Sequence, residues 1–315
     1  MGGSKMKRMI FCLVFALMAC GILLAEEEQG ALKKLFKAAT SPLDTVFGQA
    51  AELEKIVVTP SRLEEKLGSS SSSISVIDGQ DFDRAKIDAA KDALKEEVGV
   101  DVVHAGGFQG PTSVFLRGGN SNHTLVMIDG VKAYDPISPN GAYNMAHLTL
   151  DNVGQIEVLR GPQSTLYGSD AMGGVINIIS KKAEKPYVNA SFEAGSFYTY
   201  QEKFEVGASS HGFHYSLSGS RLDTKGISQA QAKNNNQETD PYDRTAIAAR
   251  VDYDVCDKAS VGGTLRYTNA HYQYDNMWTA VDDDDIRGRL DETFFTTYAS
   301  LDLLEWWNQM VNWAG

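Results

Sequence analysis

Cysteine is scarce in this 315-residue chain, with three in all. Two of them, Cys12 and Cys20, lie in an apolar amino-terminal run. A chain processed after Ala25 keeps only Cys256, which excludes a disulfide framework and a zinc ribbon. Basic charge also falls short. Against 29 Lys and Arg stand 41 Asp and Glu, a net charge of -12, the wrong sign for a surface that tracks phosphates, so no nucleic-acid partner is expected. Catalytic signatures are missing too. There is no Gly-x-Ser-x-Gly elbow and no phosphate-binding glycine loop, Gly118-Gly119 follows a strand without a helix after it, and His104, His123 and His147 lack metal-ligand spacing. The expectation is a protein that is not an enzyme and carries no cofactor, with no metal site in its core.

Long apolar runs are limited to one, residues 9–25, broken only by Gly21 and preceded by Lys5, Lys7 and Arg8. That is the layout of an export signal, and the run is too short for a comfortable membrane span of about 20 apolar residues. Leu17-Met18-Ala19-Cys20 resembles a lipoprotein box, whereas Ala25 before Glu26-Glu27-Glu28 offers a plain cleavage site, and the plain site is preferred. Residues 1–25 are thus read as a signal peptide.

A spacer follows over 26–53, with one short amphipathic stretch in which Leu32, Leu35 and Phe36 sit beside Lys33, Lys34 and Lys37. Residues 54–60, Glu-Lys-Ile-Val-Val-Thr-Pro, favour extended backbone and stop at proline. Gly68 and a serine run over 69–73 come next, so the heptapeptide reads as an extended segment on a tether. From 74 to 180 strand and helix signals mix in a small α+β unit. Strands are expected at 74–77, 100–104, 114–117, 125–128, 131–134, 156–160 and 175–180. One helix capped by Asp78 or Asp81 should keep Ile87, Ala90, Leu94 and Val98 on an apolar face until Gly99. Asp129-Gly130 between two apolar runs is a two-residue hairpin turn, because both turn positions favour positive φ.

Beyond Lys181-Lys182 the pattern changes to period two, in about six segments. Val188, Ala190, Phe192 and Ala194 mark the first, Tyr200, Phe204 and Val206 the second, and Phe213, Tyr215 and Leu217 the third. Ile247, Ala249, Val251 and Tyr253 mark the fourth, Val261, Leu265 and Tyr267 the fifth, and Phe295, Ala299, Leu301 and Leu303 the sixth. The pattern ends at Leu304-Glu305-Trp306-Trp307. From the second connection onward, short turns (209–212, 255–258) alternate with long polar loops (223–242, 268–292), as in outer-membrane barrels. Alternation alone also serves a soluble β-sandwich.

The region 54–182 resembles the plug of TonB-dependent outer-membrane receptors. The likeness rests on the TonB-box-like heptapeptide, on Val114-Phe115-Leu116-Arg117-Gly118, and on Ile128-Asp129-Gly130-Val131. It also rests on Ile156-Glu157-Val158-Leu159-Arg160-Gly161-Pro162, Leu166-Tyr167-Gly168-Ser169 and Ala171-Met172-Gly173-Gly174-Val175-Ile176-Asn177. Within the family the motifs look most like the vitamin B12 (corrinoid) and catecholate-siderophore receptors. The resemblance implies an α+β plug domain over 61–182, followed over 183–315 by antiparallel transmembrane β-barrel strands that form an incomplete barrel, since such transporters have about 22 strands. A truncated or split receptor is the expectation, with a soluble periplasmic plug-like module or a remnant of a receptor gene as alternatives. The implied location is the cell outer membrane. The implied partners are the TonB-ExbB-ExbD energy transducer and a cobalamin or ferric-siderophore ligand.

Specific residues follow. The TonB box comprises Glu54, Lys55, Ile56, Val57, Val58, Thr59 and Pro60, whose β-branched run suits pairing with a partner by strand addition. Ligand-facing plug loops are expected at Gly107, Phe108, Gln109, Tyr134, Asp135, Asn140 and Tyr143, where glycines admit close approach and aromatics give flat surface. Plug–barrel contacts are expected at Arg117, Glu157 and Arg160. Asp240, Asp243 and the aspartates at 282–285 are candidates for calcium in the outer loops, with a solvated charge run the preferred reading.

Overall fold

The computed structural model describes residues 56–57, 59, 65–69, 72–108, 110–135, 138, 140–227, 239–256, 258–274, 286–304 and 307–314. The expected export signal and spacer, Glu54, Lys55, Val58, Pro60, Gln109 and the aspartates at 282–285 lie outside the described residues. All of the latter belong to one body that starts at Glu54. Among them no helix is long and apolar enough to cross a membrane.

The α+β part is built on a mixed five-stranded sheet. Its members are β3 (Ser73–Asp78), β6 (Thr124–Ile128), β7 (Val131–Ala133), β8 (Val153–Arg160) and β9 (Gly174–Ser180), in the order β3-β8-β9-β6-β7. Only β6 and β9 run parallel. A separate ladder pairs β4 (Val100–His104) with β5 (Thr112–Leu116). Leu116, Ile128, Ile156, Val158, Ile176 and Ile178 fill one core between the sheet, this ladder and the helices. The expected turn forms, with φ of 51° at Asp129 and 77° at Gly130, and β6 and β7 pair across it. The Asp129 carboxylate also accepts from the backbone N–H and hydroxyl of Ser180, at 2.7 and 2.8 Å, so the turn is pinned to the end of β9. Gly174 opens β9 at φ 149°, where a Cβ would lie 2.3 Å from the Leu159 carbonyl oxygen.

The single expected helix is two. Helix α1 (Gly79–Ala85) starts at Asp78, whose carboxylate accepts from Gln80 N at 2.9 Å, and stops where Lys86 takes a left-handed conformation. Helix α2 (Ala90–Lys95) follows after Ala89 bridges to Thr149. The break turns Val98 out, 85% exposed, because the apolar spacing no longer runs along one axis.

After residue 182 come seven antiparallel strands in sequence order. They are β10 (Tyr187–Gly195), β11 (Thr199–Ser210), β12 (Phe213–Thr224), β13 (Tyr242–Cys256), β14 (Ala259–Gln273), β15 (Arg287–Leu304) and β16 (Trp307–Ala314). The last was not expected. Asn308 and Gln309 blur the alternation there, yet Leu301 pairs with Gln309 and Ala299 with Val311 in an ordinary ladder. Registers align Val188, Val206, Leu217, Ala249, Leu265 and Phe295 in one row across β10 to β15. Leu265, Phe295, Val251, Tyr253 and Val261 are exposed, while Ser216, Ser218, Ser220, Arg266, Thr268 and Thr296 on the opposite face are buried. A soluble sandwich does the reverse, burying the apolar face. An apolar outer face over a polar interior is the arrangement of a membrane barrel wall.

Candidate functional site

The heptapeptide's described residues are docked against the plug rather than hanging from a tether. Strand β1 (Ile56–Val57) pairs with β2 (Glu65–Lys66), and Val57 is fully buried. Thr59 N–H donates to the Glu157 carboxylate at 2.7 Å, Tyr167 donates its hydroxyl to the Thr59 carbonyl at 2.7 Å, and Asn177 donates to the Thr59 hydroxyl at 3.2 Å. Three sheet and helix positions thus hold one residue of the expected TonB box. Glu157 is 0% exposed, and its other oxygen accepts from Gln155 at 2.8 Å. A carboxylate held out of water in this way is tolerable because donors satisfy it.

That placement corrects the expected plug–barrel contacts. Glu157 serves the docked peptide. Arg160 pairs with Glu97 at 2.5 Å and donates to the Val98 carbonyl, and Arg117, in a left-handed conformation, donates to the Ser73 hydroxyl at 3.0 Å. All three act inside the plug: Glu157 and Arg160 lie on β8, whose neighbours are other plug strands, and Arg117 sits in the turn directly after β5. The contacts to the wall come from a strap at 147–152 that carried no recognisable motif. Asp151 accepts from Ser220 at 2.5 Å and lies 3.8 Å from Lys203, while Arg266 donates to the carbonyls of Thr149 and Asp151 at 3.1 and 3.0 Å. Arg250 donates to the Ser180 carbonyl at 2.7 Å and Ser216 to that of Lys181 at 2.8 Å. Nearly every seam bond therefore uses a polar inward-facing wall residue, often against plug backbone.

The wall connections differ by end. Residues 211–212, 257–258 and 305–306 are short links at one end, while at the other 225–241 and 274–286 are long and 196–198, between β10 and β11, is short. A cleft of about 830 Å³ opens at the long-loop end, between α2, the loop after β4 and strands β11 to β13. On its plug side Lys91 donates to His104 Nε2 at 3.2 Å, and His104 Nδ1 lies 2.8 Å from the Thr112 hydroxyl, which itself donates to the Gly110 carbonyl. The hydroxyl therefore accepts from Nδ1–H, leaving Nε2 to accept from Lys91. Burial pushes the Lys91 ammonium below its ordinary range, and burial together with Lys91 does the same to His104. On the wall side Phe108 stacks on Tyr242, with ring centroids 5.6 Å apart, and His147 stacks on Tyr242 and Tyr272 at 5.8 and 5.4 Å. The His147 imidazole is held down to about 4, by burial first and then by the positive charges of Arg244 and Lys91.

The expected ligand-facing residues divide. Gly107 and Phe108 line this cleft. Tyr134 is exposed elsewhere, and Asp135 is not a lining residue either. Asn140 closes its own turn, accepting from the Ser138 hydroxyl and Ala142 N–H. Tyr143 is buried and donates to Glu292 at 3.2 Å, and burial raises its hydroxyl well above the ordinary range, so it belongs to the seam and not to a ligand surface. Lys91, Tyr242 and Arg244 were missed because a lysine on a short helix and an arginine on an alternating strand carry no local signature. Among the described residues no three His, Cys, Asp or Glu gather as a metal site. Asp243 lies 3.4 Å from His271, and Asp240 lines the cleft.

Comparison with known proteins agrees with this geometry. Residues 66–175 match the model of the TonB-dependent Receptor Plug Domain family. Among solved structures, the P. aeruginosa receptor FpvA bound to heterologous pyoverdines aligns with 82% of this chain and 35% of its own, at 16% identity and a TM-score of 0.63. The siderophore receptor PirA from Acinetobacter baumannii aligns at 18% identity and 0.58, covering 76% of this chain and 39% of its own. The ferric yersiniabactin uptake receptor FyuA from Yersinia pestis does so at 20% and 0.58, covering 77% and 40%. The chain thus spans 35–40% of the length of these receptors.

Proposed function

We propose that this chain, a TonB-dependent receptor plug domain followed by the strands of a receptor wall, is the plug-bearing part of an outer-membrane transporter that takes up a ferric siderophore. The observation that carries the reading is the polarity of the wall. Its apolar row from Val188 to Phe295 faces away from the plug, while serines, threonines and arginines face toward it. Such a sheet is stable when lipid covers one side and a polar plug the other. The chemical identity of the cargo is supported by the ligands of the similar receptors, pyoverdine and yersiniabactin. Cobalamin, the other cargo suggested by the sequence motifs, has no such support.

In this reading the inner-membrane TonB-ExbB-ExbD complex pulls on residues 54–60 by pairing with their backbone. Docking opposes that pairing, because Val57 is buried and Thr59 is bonded to Glu157. Uptake therefore begins with release of the peptide from the Glu157, Tyr167 and Asn177 cradle. Fractionation tests location: heat-modifiable migration in the outer-membrane fraction is the expected result, and free periplasmic protein would overturn it in favour of a soluble plug-like module. Crosslinking from Val57→Cys to TonB tests the partner. It should succeed in energised cells and vanish when Ile56→Pro, carried in the same chain, blocks strand pairing.

A further inference from the structure

A short link runs from the end of β9 in the plug to the start of β10 in the wall, and the wall grips it by its carbonyls. Over residues 180–184, the Ser180 carbonyl accepts from Arg250 at 2.7 Å, that of Lys181 from Ser216 at 2.8 Å, that of Ala183 from His214 Nδ1 at 2.9 Å and that of Glu184 from the Ser209 hydroxyl. Arginine and serine keep their protons between pH 5 and 8, and histidine does not. His214 is therefore the member of this set whose grip depends on pH. Its other nitrogen, Nε2, lies 2.9 Å from Asp254 Oδ2, and Asp254 Oδ1 lies 3.3 Å from the Lys182 ammonium, which keeps that carboxyl charged. A carbonyl and a carboxylate can only accept. A neutral imidazole has one N–H, so it would satisfy one of them and turn a lone pair on the other, whereas the imidazolium donates to both.

We propose that His214 is a proton-operated clasp: its imidazolium ties the link between plug and wall to Asp254, and loss of the proton frees the link around Ala183. The surrounding charges suit this role. Asp254 comes from β13 and Lys182 from the link itself. Asp252, directly across the ladder from His214, is taken up by Arg250 and by the Tyr298 hydroxyl. Strand β11 presents neutral Ser209, and His211 in the preceding turn bonds to Ser210. Because the bonded form carries the proton, the grip is complete in acid and is lost as pH rises through the ordinary histidine range, about 6.5 in a free chain. That is the opposite sense to a buried neutral histidine. The Asp254 side chain is 38% exposed, so solvent screens the pair and the effect is a few-fold change in link opening, not a change of fold. Under the transport reading, a plug drawn from the inner side moves against a link held more firmly in acid than in alkali, while the chemistry of the clasp is independent of cargo and location.

The test is hydrogen exchange of the link amides in the full chain in detergent, at about pH 5.5 and about pH 8 on either side of the histidine range, corrected for intrinsic exchange rates. It is read beside the nitrogen-15 spectrum of the histidine rings. Protection around Ala183 should be about 3- to 10-fold greater in acid, and the His214 ring should carry two protons there. His214→Gln should abolish the pH difference and Asp254→Asn should shrink it. A difference that survives in His214→Gln, or a singly protonated ring in acid, overturns the proposal. A glutamine variant that loses heat-modifiable migration has misfolded, and the decision then passes to Asp254→Asn, in which an undiminished pH difference overturns it. A pH-dependent link in a chain found free in the periplasm would keep the clasp and sink the transport reading. Outer-membrane insertion with a link indifferent to pH would do the opposite.

Discussion

The plug and the wall use the same kinds of residue with opposite polarity. In the plug, Leu116, Ile156 and Val158 are wholly buried, and the buried charged groups are paired or hydrogen-bonded, Arg160 to Glu97, Lys91 to His104 and Glu157 to Thr59 and Gln155. In the wall, Leu265, Val251 and Phe295 point away from the body, and Arg250, Arg266 and Asp252 point in. The plug is therefore stabilised as water-soluble domains are, by removing apolar area from water. The wall cannot be: its apolar face gains only if lipid replaces water there. What joins the two is mostly hydrogen bonding between wall side chains and plug backbone, with ring contacts at Tyr242 and Tyr272 and Phe294 against the plug core as the apolar part.

Paired substitutions would break this comparison most visibly. Leu116→Ala empties space at the centre of the plug core and should cost about 2–5 kcal/mol, measured as a fall in the denaturant midpoint. Leu265→Arg, on the outward row, should cost about 2–4 kcal/mol when the chain is folded into lipid vesicles. In a soluble protein the same exposed change stays within about 0.5 kcal/mol. A Leu265→Arg chain that folds into vesicles as well as its parent would mean that the wall does not face lipid.

The seam responds to pH in a way that neither body alone should. His147 is buried against Tyr242, 3.0 Å from its hydroxyl, and its pKa falls from 6.5 to about 4 on folding. A depressed histidine pKa means that the folded state holds the neutral ring while the unfolded chain takes up a proton. Its contribution is therefore complete above pH 6.5 and is lost progressively as pH falls toward 4. The difference corresponds to about 3 kcal/mol. Unfolding midpoints should drop over that window in the parent and stay flatter in His147→Phe, which keeps a ring on Tyr242 and cannot titrate. Equal pH slopes in the two chains would remove His147 from the seam.

What the sequence made legible follows the same division. Strands whose signal is local were readable: β4 appears at the expected residues, the Asp129-Gly130 turn forms, and the alternating wall strands fall where their apolar residues recur. The plug motifs were readable because glycines such as Gly174 meet a close backbone approach. The two-helix break at Lys86 was not, since a left-handed lysine depends on what packs around it and has no sequence signature. The roles of Glu157, Arg160 and Arg117 were misplaced for a similar reason. A charged residue on a strand announces that it needs a partner, but only the three-dimensional neighbours decide which body supplies it. The Lys91–Arg244 cleft joins positions 153 residues apart (244 − 91), far beyond the reach of any local pattern.

The finest distinction between the two bodies concerns the peptide at 56–59, which belongs to neither core and is held to the plug by hydrogen bonds. Both Glu157 oxygens accept, one from Thr59 N–H and one from Gln155. Glu157→Gln keeps the shape but turns one acceptor into a donor, so one of those donors faces another N–H. Mispairing a buried polar group costs about 1–3 kcal/mol, charged against a peptide that can leave instead of against the core. The plug's own unfolding midpoint should therefore move little, while thiol labelling of Val57→Cys, at a position 0% exposed in the docked state, should quicken by about 5- to 100-fold. If labelling stays slow while the core weakens, Glu157 holds the sheet together and the peptide is retained by something else.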